Sequence, residues 1–485
     1  MAVDRRTFLR RAGGAAFAPS LVGLAACNDL TTRPEVDPAL SLNGNGRGGH
    51  HLRPGGYGEL IQSEECPELM IPEGFRCVRI SEVTKPSQAD SGFIVPQALD
   101  GMAAFPLANG NVRLIRNHEI RDSAAVASPF GPNAYDSKAG GGTTSLELRV
   151  HESGEDEIGE IEVLAEYASL TGTHVNCAGG PTPWGSWLTC EETTEGAPTR
   201  DQPHGYVFEV PTHADGPVDP VPLKALGRFV HEAVAVDPDG GILYLTEDRS
   251  FQASTGLGSG FYRFILDAGG RPGDLSEGRL QALAIKGQPR YDTITGQVPG
   301  GVLPVEWVDI DDPDPSNAAE DAYAVFSQGL ERGAAVFQRL EGCWYGDHSI
   351  FFNATSGGDA GEGQVWQYRP FGRGRGYGSG GQLVLVFESP SSDVLTSPDN
   401  ITVSPRGGLV LCEDAGGIQY VRGVTRRGDI FDFVRQSEAM SEFAGACYSP
   451  DGEILFFNIQ GSTSSTGTAF GATYAMWGPW WKGAL

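Results

Sequence analysis

Two segments distant from each other in the chain are built alike: residues 236–248, VDPDGGILYLTED, and residues 403–414, VSPRGGLVLCED. In each, a Pro/Gly turn leads into a short apolar run that closes on two acidic residues. Proline and glycine set turns, and short runs of β-branched and aromatic residues form strands, so the layout predicts a β-hairpin. Four other segments follow it more loosely. They run from Asp100-Gly101 to Asn117-His118-Glu119, from Cys177 to Glu191-Glu192, from Glu341 to Asn353 and Thr355, and from Ala444-Gly445 to Asn458 and Gln460. Further strand-like runs lie between them, at 146–150, 205–210, 260–266, 364–368 and 383–388. The chain is rich in glycine (68) and proline (32), and long amphipathic helical patterns are scarce. Six repeats of about four strands predict an all-β fold, a six-bladed β-propeller with a central metal site. Innermost strands would bring the hairpin openings and closings together as one ring of Cys, Glu, Asp and Asn.

The stretch 173–192, THVNCAGGPTPWGSWLTCEE, carries the most chemistry. Gly179, Gly180 and Pro181 place Cys177 on a turn, and residues 184–190 read as a strand. Soft thiolate beside hard carboxylate suits iron or zinc better than calcium alone. A buried structural cysteine beside surface glutamates is the alternative. Arg339 and Glu341 are two apart, so on a strand they share a face. If Glu341 holds a metal, Arg339 lies beside it, a pairing that suits phosphate; an ordinary salt bridge is the alternative. Nucleophile elbows, phosphate-binding glycine loops and HExxH are missing, and the nine histidines are too scattered for a zinc triad. The acidic run 307–322 is not an EF-hand loop, because Asp314 stands where the glycine belongs; it reads as a solvated loop near the site entrance.

The N-terminus carries Asp4-Arg5-Arg6-Thr7-Phe8-Leu9-Arg10, a twin-arginine export motif, then a mildly apolar run ending Leu24-Ala25-Ala26-Cys27. Residues 1–26 therefore read as a signal peptide, with Cys27 the thiol to be lipidated. Residues 27–60, rich in Gly, Asn and Arg, read as a flexible linker, and 61–485 as the propeller domain. The expected location is outside the cytoplasm, periplasm or cell surface, tethered by lipid and delivered by the twin-arginine machinery. A net charge of −27 argues against a nucleic-acid polymer as substrate and is compatible with carboxylates gathered for cations. Cys66 and Cys77 could form a disulfide in an oxidising compartment.

NCAGGPTPWGSWLTCEE, GRFVHEAVAVDP, FQRLEGCWY, SPDNITVSPRGGLVLCED and EFAGACYSPDGEILFFNIQ resemble the calcium-dependent alkaline phosphatases called PhoX and their shorter relatives. The resemblance runs from about residue 70 to the end. It implies hydrolysis of phosphate monoesters at a cluster of two ferric irons and three calciums bridged by an oxo group that attacks phosphorus. It also implies that Cys177 is a thiolate ligand of iron, that Glu232 and Glu341 are carboxylate ligands, and that Arg339 binds phosphate. Glu119, Glu191, Glu413, Asp399 and Asn400 join the expected ligand set, more from the ring than from the resemblance. Two other readings are a calcium-dependent propeller lactonase or phosphotriesterase-like hydrolase, in which Cys177 is dispensable, and a lipid-anchored binding propeller without catalysis.

Overall fold

The Pro/Gly turns do join antiparallel strands. The computed structural model describes residues 56–152, 158–266, 273–372 and 380–485. The twin-arginine motif, Cys27 and residues 27–55 of the linker lie outside them, as do residues 373–379. Among the described residues the fold is all-β, with one short α-helix, Ala324–Glu331.

Hairpins form from Leu99–Pro106 with Val112–His118, Asn176–Pro181 with Ser186–Glu191, and His231–Asp237 with Ile242–Glu247. They form likewise from Leu340–Gly346 with Ser349–Ala354, Pro398–Val403 with Leu409–Glu413, and Phe443–Tyr448 with Leu455–Ile459. Their registers match. The first residue of each opening strand pairs with the last of its partner: Leu99 with His118, Asn176 with Glu191, His231 with Glu247, Leu340 with Ala354, Pro398 with Glu413, Phe443 with Ile459. The register then shifts in every one, a bulge that takes two residues of the opening strand out of ordinary pairing, directly after the first residue in five hairpins and after Ala444 in the sixth.

The opening strands touch one another in a closed cycle, each against the next and Phe443–Tyr448 against Leu99–Pro106. Small residues permit this. A Cβ on Gly180 would stand 1.7 Å from the Val234 carbonyl oxygen, and one on Gly445, at φ 65°, would stand 2.4 Å from that of Asp100. The expectation that Gly179, Gly180 and Pro181 turn the chain at Cys177 is corrected here. Asn176–Pro181 is a strand, and its glycines serve close strand approach.

Outer strands complete five sheets among the described residues. The largest joins two meanders edge to edge, with Val302–Asp309 pairing on one side with Gly278–Ile285 and on the other with Gly381–Glu388. The last sheet is completed by the start of the chain: Arg76–Glu82 pairs with Ala472–Trp477. The aromatic C-terminus packs there through Trp480, 2% exposed against Tyr57, Phe75 and Phe433, whereas Trp481 is 74% exposed. Cys66 and Cys77 are buried and not bonded to each other; the Cys66 thiol donates to the Cys77 carbonyl at 3.2 Å.

Candidate metal centre

The shared register fixes three rings of side chains. After each hairpin's closing strand, the next residue donates its backbone N–H to the carbonyl of the residue just before the opening strand. These bonds run Glu119 to Ala98, Glu192 to Val175, Asp248 to Val230, Thr355 to Arg339, Asp414 to Ser397 and Gln460 to Glu442, at 2.8–3.1 Å. In five hairpins the second residue of the opening strand lies at the bulge: Asp100, Cys177, Glu232, Glu341 and Asp399; in the sixth, Ala444 still pairs with Asn458 and the bulge falls after it. Four of the residues before the opening strands, Ala98, Val175, Arg339 and Ser397, have positive φ (44–60°). Such strained backbone gathers where a site dictates its geometry.

Acidic and thiol groups from these rings form four overlapping sets of three, each with ligand atoms within 4.8 Å of one another. Asp100, Glu119 and Cys177 form the first, and Cys177, Glu192 and Glu232 the second. The third is Glu232, Glu341 and Asp399, and the fourth Asp399, Asp414 and Glu442. Cys177, Glu232 and Asp399 link one set to the next. The series grades from buried Asp100 and Glu119 to exposed Asp414.

Among the described residues, few partners balance this charge. Neither oxygen of buried Glu232 has a hydrogen-bond partner. Burial, then Glu341 and Asp399, pushes its pKa well up. Glu341 is raised by burial and by Asp248 and Asp399. Burial, then Asp414 and Glu119, lifts Asp399 to about 8. The Cys177 thiol is raised by burial and by Asp100 and Glu232. Gathered buried carboxylates are costly unless cations or protons neutralise them. Carboxylate oxygens with one thiol, converging on unpartnered Glu232, fit metal cations.

Two arginines hold the rim. Arg339 chelates Asp248, with Nε and Nη2 donating at 3.0 and 2.8 Å, and Nη2 also donates to Glu341 at 2.9 Å. Partial burial works against its charge, but Glu341 and Asp248 outweigh that and keep it cationic. Arg121 bridges Glu119 and Glu192. Both side chains are partly exposed, at 37% and 46%.

Of the residues expected from sequence, Cys177, Glu232, Glu341, Glu119 and Asp399 come together, with Arg339 beside them. Asn400 is an accessory: its Nδ2 donates to Asp399 at 2.7 Å and its Oδ1 accepts from Gly445. Glu191 and Glu413 are held elsewhere. Glu191 accepts from His204 Nδ1 (2.6 Å) and from the amides of His174, Gly205 and Tyr206. Glu413 accepts from Arg422 Nε (2.8 Å) and the amides of Thr396 and Tyr420. Both are the last residues of their strands and pair into the ladder, while the next residue, Glu192 or Asp414, enters the cluster. His118 with Glu119 follows the same rule; after Glu247, Asp248 lies beside the cluster and holds Arg339 instead. Asp100, Glu192, Asp414 and Glu442 were not in the expected ligand set. The acidic pairs at hairpin ends signal Glu192 and Asp414, and Asp100 opens a hairpin as Cys177 does.

A cavity of ≈ 500 Å³ adjoins this rim, lined among others by Arg121, Glu192, Asp248, Arg249 and Tyr323. Ala319, from the acidic loop expected near the entrance, lines it too.

Residues 55–462 match the family model described as alkaline phosphatase PhoX. No curated protein matches. Among solved structures, Pseudomonas fluorescens PhoX in complex with vanadate, a transition state analogue, is similar at 16% identity and a TM-score of 0.61, covering 90% of this chain and 99% of that one. That likeness is one of fold. A gluconolactonase from Xanthomonas campestris matches at 12% identity and a TM-score of 0.39, over 88% of this chain and 99% of its own. The periplasmic gluconolactonase of Pseudomonas aeruginosa matches at 14% and 0.34, over 76% and 83%.

Proposed function

The chain belongs to the PhoX alkaline phosphatase family, and from that premise we propose that it is an exported, metal-dependent phosphatase of small phosphate monoesters. On this reading the cycle of opening strands is the inner wall of a six-bladed propeller, residues 61–485, and the cluster at its axis holds the metals. The observation that carries the proposal is Arg339 bonded to Glu341 at the edge of that cluster: a guanidinium that could bind phosphate abuts carboxylates that could hold metal.

Asp100, Glu119, Cys177, Glu192, Glu232, Glu341, Asp399, Asp414 and Glu442 would hold the ions, iron at the thiolate and calcium among the carboxylates. When bound, these ions would supply Lewis acidity at phosphorus and at the attacking water. The chain's own residues bind and orient the ester. Asp248 fixes the plane of the Arg339 guanidinium through its two-point contact, and Arg339 Nη1 makes no hydrogen bond among the described residues. That nitrogen, with Nη1 of Arg121, would donate to phosphoryl oxygens and stabilise their charge as the P–O bond to the leaving alcohol breaks. Gln460 donates to Glu119 at 2.8 Å and Asp100 at 3.2 Å and orients both carboxylates. The twin-arginine motif and Cys27 support export with a lipid tether at Cys27.

The test is turnover of an aryl phosphate monoester by protein purified from a host competent in twin-arginine export, with elemental analysis alongside. Iron and calcium with hydrolysis abolished by EGTA is the expected result. Metal-loaded protein that leaves the ester intact would sink the reading.

A further inference from the structure

The cavity beside the rim holds a cation that phosphate binding does not use. Arg249 follows Asp248 directly, and its carbonyl accepts the backbone N–H of Arg339 at 3.1 Å, so it adjoins the phosphate arginine. Its guanidinium lies over the Tyr323 ring, 4.4 Å from the centroid, and the Tyr323 hydroxyl donates to the Ser250 carbonyl at 2.8 Å. The aromatic face therefore holds the guanidinium in place. Among the described residues no carboxylate forms an ion pair with Arg249, and its buried Nε has no hydrogen-bond partner; buried Glu247 feels its charge but bonds to the Tyr262 hydroxyl and the Gly260 amide instead.

The acidic groups around the same cavity are already engaged. Glu192 bonds Arg121, Asp248 bonds Arg339, and Glu195 bonds Arg200 at 2.7 Å and faces His174 at 3.5 Å. In a chain of net charge −27, an arginine bonded to no carboxylate beside a catalytic rim is an unspent binding group. A planar guanidinium recognises a carboxylate or phosphate through paired N–H donors.

We propose that Arg249, seated on Tyr323, is an anion subsite for the alcohol portion of the ester, so that the enzyme favours small phosphate esters carrying a second anionic group. The proposal rests on the phosphatase reading of the neighbouring cluster. It assigns the cavity to the leaving group and Arg249 to specificity.

The experiment compares matched ester pairs on the metal-loaded full-length enzyme: 3-phosphoglycerate with glycerol 3-phosphate, and propane-1,3-diol bisphosphate with its monophosphate. The readout is the ratio of kcat/KM within each pair. In Arg249→Gln the ratio should fall roughly tenfold in at least one pair, as expected for loss of a charged hydrogen bond. The pair affected tells carboxylate from phosphate recognition. Arg249→Lys should recover part of the ratio, and it serves as the test if the Gln variant does not fold. A purely structural role would lower both members of a pair alike. Ratios unmoved in both pairs while the wild type cleaves the singly anionic esters would overturn the subsite and leave the phosphatase reading standing. A wild type that cleaves none of the esters would overturn both.

Discussion

Glu191 and Glu192 are adjacent, yet Glu191 is enclosed by His204 and three backbone amides while Glu192 stands with Cys177 and Glu232. The two substitutions should therefore separate cleanly. Burial alone would raise the Glu191 pKa, but His204 and the amides outweigh it and hold it below the usual range. Glu191→Gln should cost about 3 kcal/mol of stability, as breaking a buried ion pair does. Glu192→Gln should leave the urea midpoint near wild type and lower bound metal and turnover. The reverse pattern, a stable inactive Glu191 variant and an unfolded Glu192 variant, would overturn the assignment.

The hairpins were legible because Pro/Gly turns and acidic endings are local signals that repeat. The ring was legible from the repeat, which pointed to Glu119 and Asp399, while Cys177, Glu232 and Glu341 were expected as ligands from the family resemblance. What was not legible was which member of each acidic pair faces inward. Glu191 and Glu413 end their strands, and the choice rests on the bulge and on distant partners, Arg422 and His204. Glu442 lies outside any repeated pair, and its place comes from the hydrogen bond of Gln460 to its carbonyl. The pairing of Arg76–Glu82 with Ala472–Trp477 joins chain ends, which periodicity does not report.

Cys177 belongs to two of the acidic sets and so links them. Burial, then Asp100 and Glu232, keeps the thiol protonated unless a cation replaces the proton. Cys177→Ala should remove iron from the purified protein and lower phosphatase activity by at least roughly tenfold. Cys412→Ala, at a buried thiol outside the sets, should keep its iron. Full iron content in Cys177→Ala would count against the thiolate.

Close strand approach makes a structural prediction that does not involve metal. Gly180→Ala should destabilise the fold by about 2–4 kcal/mol, since its methyl would collide with the Val234 carbonyl. Gly216→Ala, with nothing within 4 Å of the added carbon, should be close to neutral. Equal thermal midpoints for the two variants would contradict the packing.

The raised carboxylates also set a pH dependence for chelator-stripped protein. Asp399 moves from an ordinary value of about 4 to about 8 in the fold, and Glu232 and Glu341 move the same way. The folded state then binds more protons than the unfolded one across that window, so stability falls as pH rises through it. Bound cations take the place of those protons. Melting temperature against pH should slope down for stripped protein between about 4 and 8, and much less for the metal-loaded form. Parallel curves would contradict the gathering of these groups at one ion-binding site.

Arg339 offers the sharpest kinetic test because two carboxylates fix its orientation before any substrate arrives. Asp248 takes two of its nitrogens and Glu341 shares one, leaving Nη1 without a hydrogen bond among the described residues. A preorganised cation acts on charge that develops in the transition state, so Arg339→Ala should lower kcat by about 10²–10³. Arg339→Lys keeps the charge but cannot chelate Asp248 while reaching the phosphoryl oxygens, and should recover only part of the loss. Asp248→Asn should weaken the same step more mildly by letting the guanidinium rotate. If Lys restored full activity, charge alone would suffice and the two-point contact with Asp248 would have no catalytic consequence.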